Sequence, residues 1–412
     1  MTDFYNSEYK KLEGISWFRF FVIILIITVI YWIISEPQKP FGDFTKAYYL
    51  AGQQILENPS SLYNRLNGNL TFVNIPIIAL LFTPFSMFSK SIAVLIMTAL
   101  GTLANLAACY LAIRLARING WKRLALIVFF AANGPLYYNL KMGNTTQYVL
   151  LLLLGTIFCF RAKQNIWAGV LTAIAALIKL PFLLFGLYFV FRKYWHVLIG
   201  FIITLSVVLG TSFLLFGIDL HITWYSQCIE PYLGKPLAAF NIQSIDGFLA
   251  RILTTNSLQN WTPIEVGFSF KLVKYLLVSL ILGTAIWIGW KCSRFSDSQS
   301  EATEFSIVLC LCILLSPISW THYYLVLLIP LALYLGNELN MPKGRFWSGA
   351  IIINFILLSL PIVNFESNSL IVRILASHYF ISGTFLMFIL LAGLYTHHFQ
   401  SLKTSKPNNP TI

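Results

Sequence analysis

Asp43 is an ionisable residue at the end of an apolar run, in the stretch FGDFTKAYY that covers positions 41–49. An ionisable residue beside a membrane-embedded cavity is costly to desolvate and by default indicates a functional site. The flanking aromatic rings lower the local dielectric, and a partly desolvated carboxylate can accept a proton from a hydroxyl group. Asp43 is therefore a candidate general base. The alternative is that Asp43 caps the following helix by accepting hydrogen bonds from backbone N–H groups.

Three basic side chains could neutralise a phosphate near this carboxylate. Lys179 lies late in an apolar run beside Pro181, where a lysine can also extend to the membrane interface. Arg251 offers the planar fork that suits bidentate phosphate binding, although it could instead pair with Asp246. His322 lies at a break between two apolar runs, where the alternative is an aromatic belt at the interface. We interpret these three residues as candidates for binding a phosphate.

Amide and aromatic side chains that could bind a sugar or an acceptor recur near the predicted outer ends of the apolar runs. Amides hydrogen-bond hydroxyl groups, and aromatic rings offer flat faces to a sugar. The same amides can cap helices and the same rings can lie at the membrane interface, so both interpretations stay open. The candidates are Tyr48, Tyr49, Asn74, Gln147, Asn241, Gln243 and Trp320.

The motifs of metal and cofactor sites are missing from the sequence. It contains no His-x-x-x-His, no Cys-x-x-Cys, no P-loop and no glycine-rich dinucleotide fingerprint. Cys310 and Cys312 are two positions apart and point to different faces of a helix, which is poor geometry for a shared metal. We therefore expect no metal and no cofactor, and neither ATP nor a soluble nucleotide sugar as a ligand.

The composition is that of a polytopic membrane protein. Of 412 residues, 58% are hydrophobic and 10% are charged, whereas soluble domains carry about 25% charged residues. The mean hydropathy is +0.74. The net charge of +13 indicates basic loops that anchor one face of the membrane. No basic run reaches the 5–8 residues typical of nucleic-acid patches, so we expect no nucleic-acid partner.

The apolar runs predict an all-α membrane bundle of about 12 transmembrane helices. A run of about 20 residues is needed to cross the hydrocarbon core. The first run, Trp17 to Ile34, has no small-residue cleavage site after it and is interpreted as a retained helix. Segment 72–89 carries two prolines and is interpreted as re-entrant or interfacial. The predicted spans are 16–35, 91–114, 124–140, 145–160, 166–179, 181–191, 195–217, 269–290, 304–319, 321–336, 346–363 and 379–397.

Basic residues orient this arrangement. With twelve crossings, 17 of the 28 lysines and arginines fall on the cytoplasmic side, at positions 10, 11, 19, 114, 117, 122, 123, 161, 163, 192, 193, 291, 294, 343, 345, 403 and 406. Both termini are then cytoplasmic. Long loops at 36–90 and 218–268 lie outside and are expected to carry short amphipathic helices, one of them over Ala47 to Leu56. Residues 1–400 form one domain, and residues 401–412 are expected to be a disordered cytoplasmic tail.

Taken in order, these segments resemble a known family. The series runs from Gly42-Asp43-Phe44 through Leu62-Tyr63 to Asn74-x-Pro76. It continues through Gly143-Asn144 with Gln147, Ala168-Gly169 and Lys179-x-Pro181. It closes with Asn241-x-Gln243-Ser244, Arg251 and Ser316-Pro317-x-Ser319-Trp320-x-His322. The chain resembles glycosyltransferase family 87, the polyprenyl-phosphate-mannose-dependent mannosyltransferases of the GT-C superfamily, from about residue 41 to 335. It departs from the family's Pro-Pro at Ile75-Pro76 and from its Gly-Gln at Gly143-Asn144.

The resemblance implies an enzyme that transfers a hexose, mannose in the family, from a polyprenyl monophosphate carrier to an acceptor hydroxyl with inversion. It implies a GT-C transmembrane domain in the plasma membrane and a lipid-linked or cell-envelope glycan as acceptor. The reaction would take place on the extracytoplasmic side, with Asp43 as the general base. Two other classes are weighed against it. A lipid-linked glycan transporter or flippase would show repeated halves, which the sequence lacks, and an O-antigen-type polymerase or ligase would rely on more outside arginines.

Overall fold

The computed structural model describes residues 41–64, 72–292, 297–362 and 369–404, with side chains described up to residue 399. The first predicted span, 16–35, lies outside these residues. The described part of the chain is helical and contains no strand, apart from one isolated bridge between Ile242 and Trp320. The prediction of an all-α fold is therefore confirmed.

The structure contains seventeen α-helices within the described ranges, joined by short 3₁₀ and π turns. The helices are α1 Tyr49–Glu57, α2 Pro76–Leu80, α3 Thr83–Ser86, α4 Lys90–Ala116, α5 Gly120–Ala131, α6 Gly134–Met142, α7 Thr146–Arg161, α8 Asn165–Ile178, α9 Leu184–Phe191, α10 Trp195–Trp224, α11 Ile245–Leu253, α12 Phe268–Cys292, α13 Ser298–Leu315, α14 Leu328–Leu335, α15 Arg345–Ser359, α16 Leu370–Leu375 and α17 His378–Thr404. The turns are π at Phe44–Tyr48 and Tyr225–Ile229, and 3₁₀ at Pro59–Ser61, Leu180–Leu183, Glu230–Tyr232 and Thr321–Leu327.

Several of these helices are apolar enough to span a membrane. Five described helical segments combine sufficient length with sufficient hydropathy, and five shorter apolar ones accompany them. The long ones are Lys90–Ala116, Trp195–Tyr232, Phe268–Cys292, Ser298–Leu315 and His378–Phe399. The chain is thus a membrane protein, while the number of twelve crossings stays a prediction.

One predicted span is two helices rather than one. The run 124–140 breaks between α5 and α6, because Pro135 occupies the first turn of α6 and the Asn133 side chain accepts a hydrogen bond from the Leu136 N–H at 2.9 Å. Such a cap starts a new helix. The hydropathy of the run conceals this break, because every residue around the cap except Asn133 and Gly134 is apolar or aromatic.

The predicted break at Lys179 and Pro181 is confirmed. Helix α8 ends at Ile178, Lys179 is extended, and Leu180–Leu183 forms a 3₁₀ turn before α9 begins. Proline cannot continue the backbone ladder of α8, since it lacks an N–H group. Lys179 is therefore no longer part of α8, and its side chain lies in the interior of the protein.

Segment 72–89 contains α2 and α3, of five and four residues, instead of one continuous helix. Each begins at a proline, which suits a first turn but interrupts a longer helix. Upstream, α1 covers Tyr49–Glu57, close to the short helix predicted over Ala47 to Leu56. At the other end of the chain, α17 runs to Thr404, so residues 401–404 of the predicted disordered tail are helical. Residues 405–412 lie outside the described part.

Small residues let the central helices approach each other closely. A Cβ added at Gly169 of α8 would lie 1.9 Å from the Val197 carbonyl oxygen, and one at Gly200 of α10 would lie 2.2 Å from the Ile166 carbonyl oxygen. Backbone-to-backbone contact of this kind is typical of helix pairs in membranes. Helices α7 and α8 are joined by a Thr156–Thr172 hydroxyl contact of 3.1 Å. The packing of α7, α8 and α10 fixes the start of α7 and the end of α8, next to which the candidate site forms.

Candidate active site

The loop that carries Asp43 is anchored directly to the turn between α6 and α7. The Phe41 N–H donates to the Lys141 carbonyl oxygen at 3.0 Å. Gly143, at the end of α6, has a φ of 64°, and a Cβ there would lie 2.6 Å from a ring carbon of Phe41. Only glycine accommodates both the left-handed backbone and this close approach. The contact brings Asp43 beside Asn144.

Asp43, Asn144 and Lys179 form a hydrogen-bonded chain. The Asn144 Nδ2 donates to Asp43 Oδ2 at 2.6 Å, and Lys179 Nζ donates to Asn144 Oδ1 at 2.9 Å. The same Asn144 oxygen accepts the N–H of Thr145 at 2.7 Å, which fixes the orientation of the amide. A carboxylate and an ammonium are thus held on opposite sides of one amide, each with a defined direction.

Asp43 does not use its side chain to cap the turn that follows it. Its carboxylate makes no capping hydrogen bond to Phe44–Tyr48 and is directed to Asn144. Asp43 is partly exposed, and only its Oδ2 is engaged in a described side-chain hydrogen bond. Burial raises the pKa of Asp43 above the usual value for aspartate, while the Asn144 hydrogen bond and the charge of Lys179 act in the opposite direction. These features favour the general-base interpretation over capping.

Lys179 is held in the interior by its neighbours. It is 6% exposed, and its Nζ lies 5.1 Å from the centre of the Tyr323 ring. Asn74 donates from Nδ2 to the Ile178 carbonyl oxygen at 2.8 Å and so satisfies the last turn of α8. Asn74, predicted as a sugar-binding residue, therefore supports the break that releases Lys179. A buried ammonium with one amide partner and one aromatic face is well suited to receive an anion.

His322 lies in an aromatic wall beside Lys179. Its ring is parallel to Tyr138 and Trp320, with centroids 6.3 and 6.5 Å away, and meets Tyr323 edge-on at 5.1 Å. The side chain is 3% exposed, and neither ring nitrogen has a hydrogen-bond partner among the described residues. Buried polar atoms in folded proteins are nearly always satisfied, so such an imidazole is a strong candidate for contact with a ligand.

Asn241 supports the same wall from the second long loop. Its Nδ2 donates to the Tyr138 hydroxyl at 3.0 Å, and its Oδ1 accepts from Trp261 Nε1 at 2.9 Å. The Asn241 carbonyl oxygen accepts the N–H of Thr321 at 2.9 Å, directly before His322. Both the nitrogen and the oxygen of the side-chain amide are thus engaged in hydrogen bonds. Asn241 positions the aromatic rings, and Trp320 and Tyr138 present ring surface next to the imidazole.

The remaining predicted sugar-binding residues are mostly engaged in structural contacts. Tyr48 is buried and lies 3.5 Å from the Thr145 hydroxyl, next to the Asp43 chain of contacts. Tyr49 donates to the Phe88 carbonyl oxygen at 2.9 Å. Gln147 is buried and accepts from the Asn139 side chain. Gln243 is fully buried and donates to two carbonyl oxygens, at 2.8 and 2.7 Å.

Arg251 is also held by the protein rather than turned toward the Asp43 chain. The side chain is 0% exposed. Its Nη1 donates to the carbonyl oxygens of Ala239 and Ile242 at 2.8 and 2.6 Å, and its Nε donates to Ser377 Oγ at 2.8 Å. The alternative ion pair with Asp246 is also not formed, because Asp246 pairs with Lys274 at 2.8 Å. The Nη2 of Arg251 has no hydrogen-bond partner among the described residues. The contacts of Nη1 and Nε support a structural role for Arg251, while its contact with a phosphate stays a prediction.

Replacing Arg251 with methionine is therefore expected to destabilise the protein rather than to slow catalysis. Two carbonyl oxygens would lose their donor in a dry interior, at a cost of at least about 2 kcal/mol. Thermal unfolding in detergent should show the loss, and the kcat of the folded fraction should stay near the wild-type value. Lys235→Met, which removes a half-buried cation of the same loop that pairs with the exposed Glu265, is the control. A normal melting temperature with a large fall in kcat would instead support Arg251 as a phosphate-binding residue.

Three residues of the site were not predicted: Asn144, Tyr138 and Tyr323. Asn144 was visible in the sequence as part of Gly143-Asn144, but as a departure from the family's Gly-Gln it gave no signal of a direct contact with Asp43. The two tyrosines carry no motif of their own. Their roles depend on three segments, α6, Lys179 and the Thr321–Leu327 turn, being brought together.

The described residues contain no group of three or more His, Cys, Asp or Glu side chains arranged to hold a metal ion. The positive charge next to Asp43 is supplied by Lys179 itself. The ionisable side chains that the fold brings together here are one carboxylate, one ammonium and one imidazole.

A family model matches residues 72–317, more than half of the chain, and its description is glycosyltransferase family 87. The chain belongs to glycosyltransferase family 87. The family's placement in the GT-C superfamily is consistent with the multi-span helical architecture. Asn144 and Lys179 lie within the matched residues, while Asp43 lies 29 residues before them and His322 five residues after them. A comparison with curated proteins found no match.

As a family 87 glycosyltransferase, the protein should show a pH profile set by Asp43. Its raised pKa places the acid limb of kcat/KM above the range of an ordinary aspartate, because the base must be ionised in the free enzyme. Asn144→Ala removes a hydrogen bond that lowers this pKa, so the acid limb should move to higher pH. Activity should recover partly in alkaline buffer. Asn119→Ala, at an exposed position, should leave the profile unchanged, and an Asn144→Ala profile that overlays the wild type would contradict the assignment.

Proposed function

We propose that this family 87 glycosyltransferase moves a hexose, namely mannose, from a polyprenyl-phosphate carrier to a hydroxyl group of a lipid-linked or cell-envelope glycan. The observation that carries the proposal is the chain from Asp43 through Asn144 to Lys179, with the His322 imidazole in the adjoining wall. A base for an acceptor hydroxyl and a cation for a phosphate are thereby held at fixed positions in one site.

The reaction that this geometry supports is a single displacement. The acceptor oxygen forms a bond to the anomeric carbon as the bond from that carbon to the phosphate oxygen breaks, and the hydroxyl proton passes to the Asp43 carboxylate. The bonding electrons leave with the polyprenyl phosphate, which gains negative charge. Attack from the face opposite the phosphate inverts the anomeric centre. General-base catalysis of this type contributes about 10²–10⁴-fold.

Lys179 and His322 are assigned to the departing phosphate. Charge that develops on the leaving oxygen is best stabilised by groups already in place, and both side chains are buried and held by the surrounding rings. The imidazole can donate a hydrogen bond in its neutral or charged form. Tyr138 and Trp320 offer their ring faces to the hexose, and Tyr48 lies on the acceptor side next to Asp43.

The donor's polyprenyl chain requires a site open to the bilayer, and we place this site on the extracytoplasmic side of the plasma membrane. The basis is the distribution of basic residues, which puts both termini in the cytoplasm and loops 36–90 and 218–268 outside. Single cysteines at Ser61 and Ser257 should react with a membrane-impermeant maleimide in intact cells. Labelling of either position only after permeabilisation would reverse the orientation.

A transfer assay tests the function directly. Membranes that contain the protein are supplied with radiolabelled polyprenyl-phosphate-mannose, and parallel samples receive the glucose-bearing carrier. We expect label to appear in a glycolipid or glycan product with mannose, and membranes carrying the Asp43→Asn variant should give none. If neither carrier transfers its label to any of a panel of envelope glycolipid acceptors, the proposed donor class is wrong. Movement of an intact lipid-linked glycan across the bilayer, without transfer, would assign the protein to the flippases instead.

A further inference from the structure

A second site lies at the opposite end of the bundle from Asp43. It is a cavity of about 290 Å³ at the C-terminal ends of α4 and α7, close to the lower bound of roughly 300 Å³ for ligand pockets. Helix α7 begins beside Asn144 and ends at Arg161; its sixteen residues correspond to about 24 Å along the axis. The cavity is therefore separate from the catalytic site. Its lining residues are Arg114, Leu115, Arg117, Phe158, Arg161 and Ala162.

Three arginines from two helices converge on this cavity, and one of them is fixed in place. Arg161 donates from Nη1 to the Leu115 carbonyl oxygen and pairs through Nη2 with Glu338 at 3.0 Å. Its guanidinium therefore joins the end of α7 to the end of α4. The pair with Glu338 neutralises one of the three positive charges and leaves two in excess.

Those two charges belong to Arg114 and Arg117, which form no ion pair with any of the described residues. Both are exposed, and the Arg114 guanidinium lies 6.0 Å from the centre of the Tyr110 ring. Arg117 ends α4 with a left-handed backbone, φ 52°. Arg117 also lies close enough to Arg161 for their charges to repel each other. An anion between the arginines would relieve this repulsion.

The opposite wall of the cavity is apolar and faces outward. Phe158 is 51% exposed, one turn before the end of α7. A free anion gains nothing from an exposed ring, whereas a phospholipid can place its phosphate against the guanidinium groups and its first methylene groups against the ring. Arginine is the side chain best matched to phosphate, because its planar fork donates two parallel hydrogen bonds.

We infer that this cavity binds the phosphate diester of an anionic phospholipid from the leaflet opposite the active site, with Arg114 and Arg117 as the phosphate-binding residues. Basic residues at a membrane face attract anionic lipids in general, through the surface potential. A built cavity makes a narrower claim, since only the residues that line it should matter. Lys122 tests this difference. It lies in the first turn of α5, near the same end of the bundle, and does not line the cavity.

The experiment uses the purified full-length protein in a neutral detergent, where no charged bilayer surface is present. Phosphatidylglycerol, phosphatidylcholine and inorganic phosphate are titrated separately, and binding is followed by native mass spectrometry and by melting temperature. We expect phosphatidylglycerol to bind one molecule tightly and to raise the melting temperature. Arg114→Gln and Arg117→Gln should each weaken this binding about fivefold. Lys122→Gln should bind like the wild type.

The outcomes separate the two sources of phosphate. Binding of phosphatidylglycerol that depends on Arg114 and Arg117, with no effect of inorganic phosphate, supports the lipid site. Equal binding of inorganic phosphate, lost in the same variants, overturns the lipid assignment. Equal losses in Lys122→Gln and the two arginine variants would show diffuse attraction and overturn the built site. Because both variants keep Arg161 and its contacts, a folded protein is expected in each case, and lipid binding is read without any assay of transfer.

Discussion

Replacing Asp43 with asparagine is expected to lower transfer by about 10²–10⁴-fold while the protein folds and inserts as the wild type does. Asparagine keeps the shape of the side chain and can still contact the Asn144 amide, but it cannot accept the proton of an acceptor hydroxyl. The loss should therefore fall on kcat, with little change in donor affinity. Initial rates in proteoliposomes, over a range of donor concentrations, measure both parameters.

The matched control for this variant is Asp219→Asn. Asp219 is an exposed carboxylate near the C-terminal end of α10, in the segment predicted as the second outside loop, and no described hydrogen bond joins it to the Asp43 chain. Both changes remove one negative charge from the predicted outer face, so a general electrostatic effect would lower both rates equally. Near-wild-type turnover by Asp43→Asn would remove Asp43 from the mechanism, and an aggregated variant would be recognised by its elution profile in detergent.

The sequence was sufficient to nominate Asp43 as a candidate general base but not to predict its surroundings. Its isolation among aromatic residues and its place after an apolar run favoured a general base, and capping was the alternative. What distinguishes the two is a hydrogen bond to Asn144, 101 positions away. No local pattern encodes that contact, because it depends on Gly143 permitting the Phe41 side chain to approach.

Lys179 and Arg251 also show that the sequence identifies candidate residues without showing their contacts in the fold. Both are basic, and both lie in predicted polar breaks of an apolar chain. The break at Pro181 turns Lys179 toward Asn144, whereas the loop around Ala239 and Ile242 folds back over Arg251 and uses its donors. Burial and partners are properties of the assembled fold, so the sequence could nominate both cations and could not rank them.

The helical elements were more predictable than the site. Hydropathy located the long described helices, because the requirement for apolar residues extends over many consecutive positions. The short helices α11 and α16 lie outside every predicted span. The exception at α5 and α6 arises from one capping residue, Asn133, whose effect on the backbone exceeds its small effect on the mean hydropathy of the run. A candidate site depends on single residues, and a single residue contributes too little to a hydropathy pattern to be recognised from it.

Lys179→Met is expected to lower kcat by about 10²–10³-fold, the loss typical of removing one preorganised donor to a developing negative charge. Methionine fills a similar volume and is compatible with the buried setting, so folding should survive. Two effects add together. The leaving phosphate loses its nearest proposed cation, and Asp43 loses a positive charge that lowers its pKa. The acid limb of kcat/KM should therefore move to higher pH as the maximal rate falls.

Comparison with Asn144→Ala separates these two effects. That variant keeps the ammonium but breaks the hydrogen-bonded link, so it should shift the pH profile with a smaller loss of maximal rate.

Lys179→Arg keeps the positive charge and should restore part of the rate. The restoration is incomplete because the larger guanidinium cannot reproduce the single hydrogen bond to Asn144 at a position where the lysine is only 6% exposed. Lys46→Met, an exposed cation on the turn after Asp43, is the control for charge alone. If Lys179→Met turns over at the wild-type rate with saturating donor, the leaving phosphate is stabilised by His322 or by a group supplied with the substrate, and the chain from Asp43 to Lys179 serves to position the base.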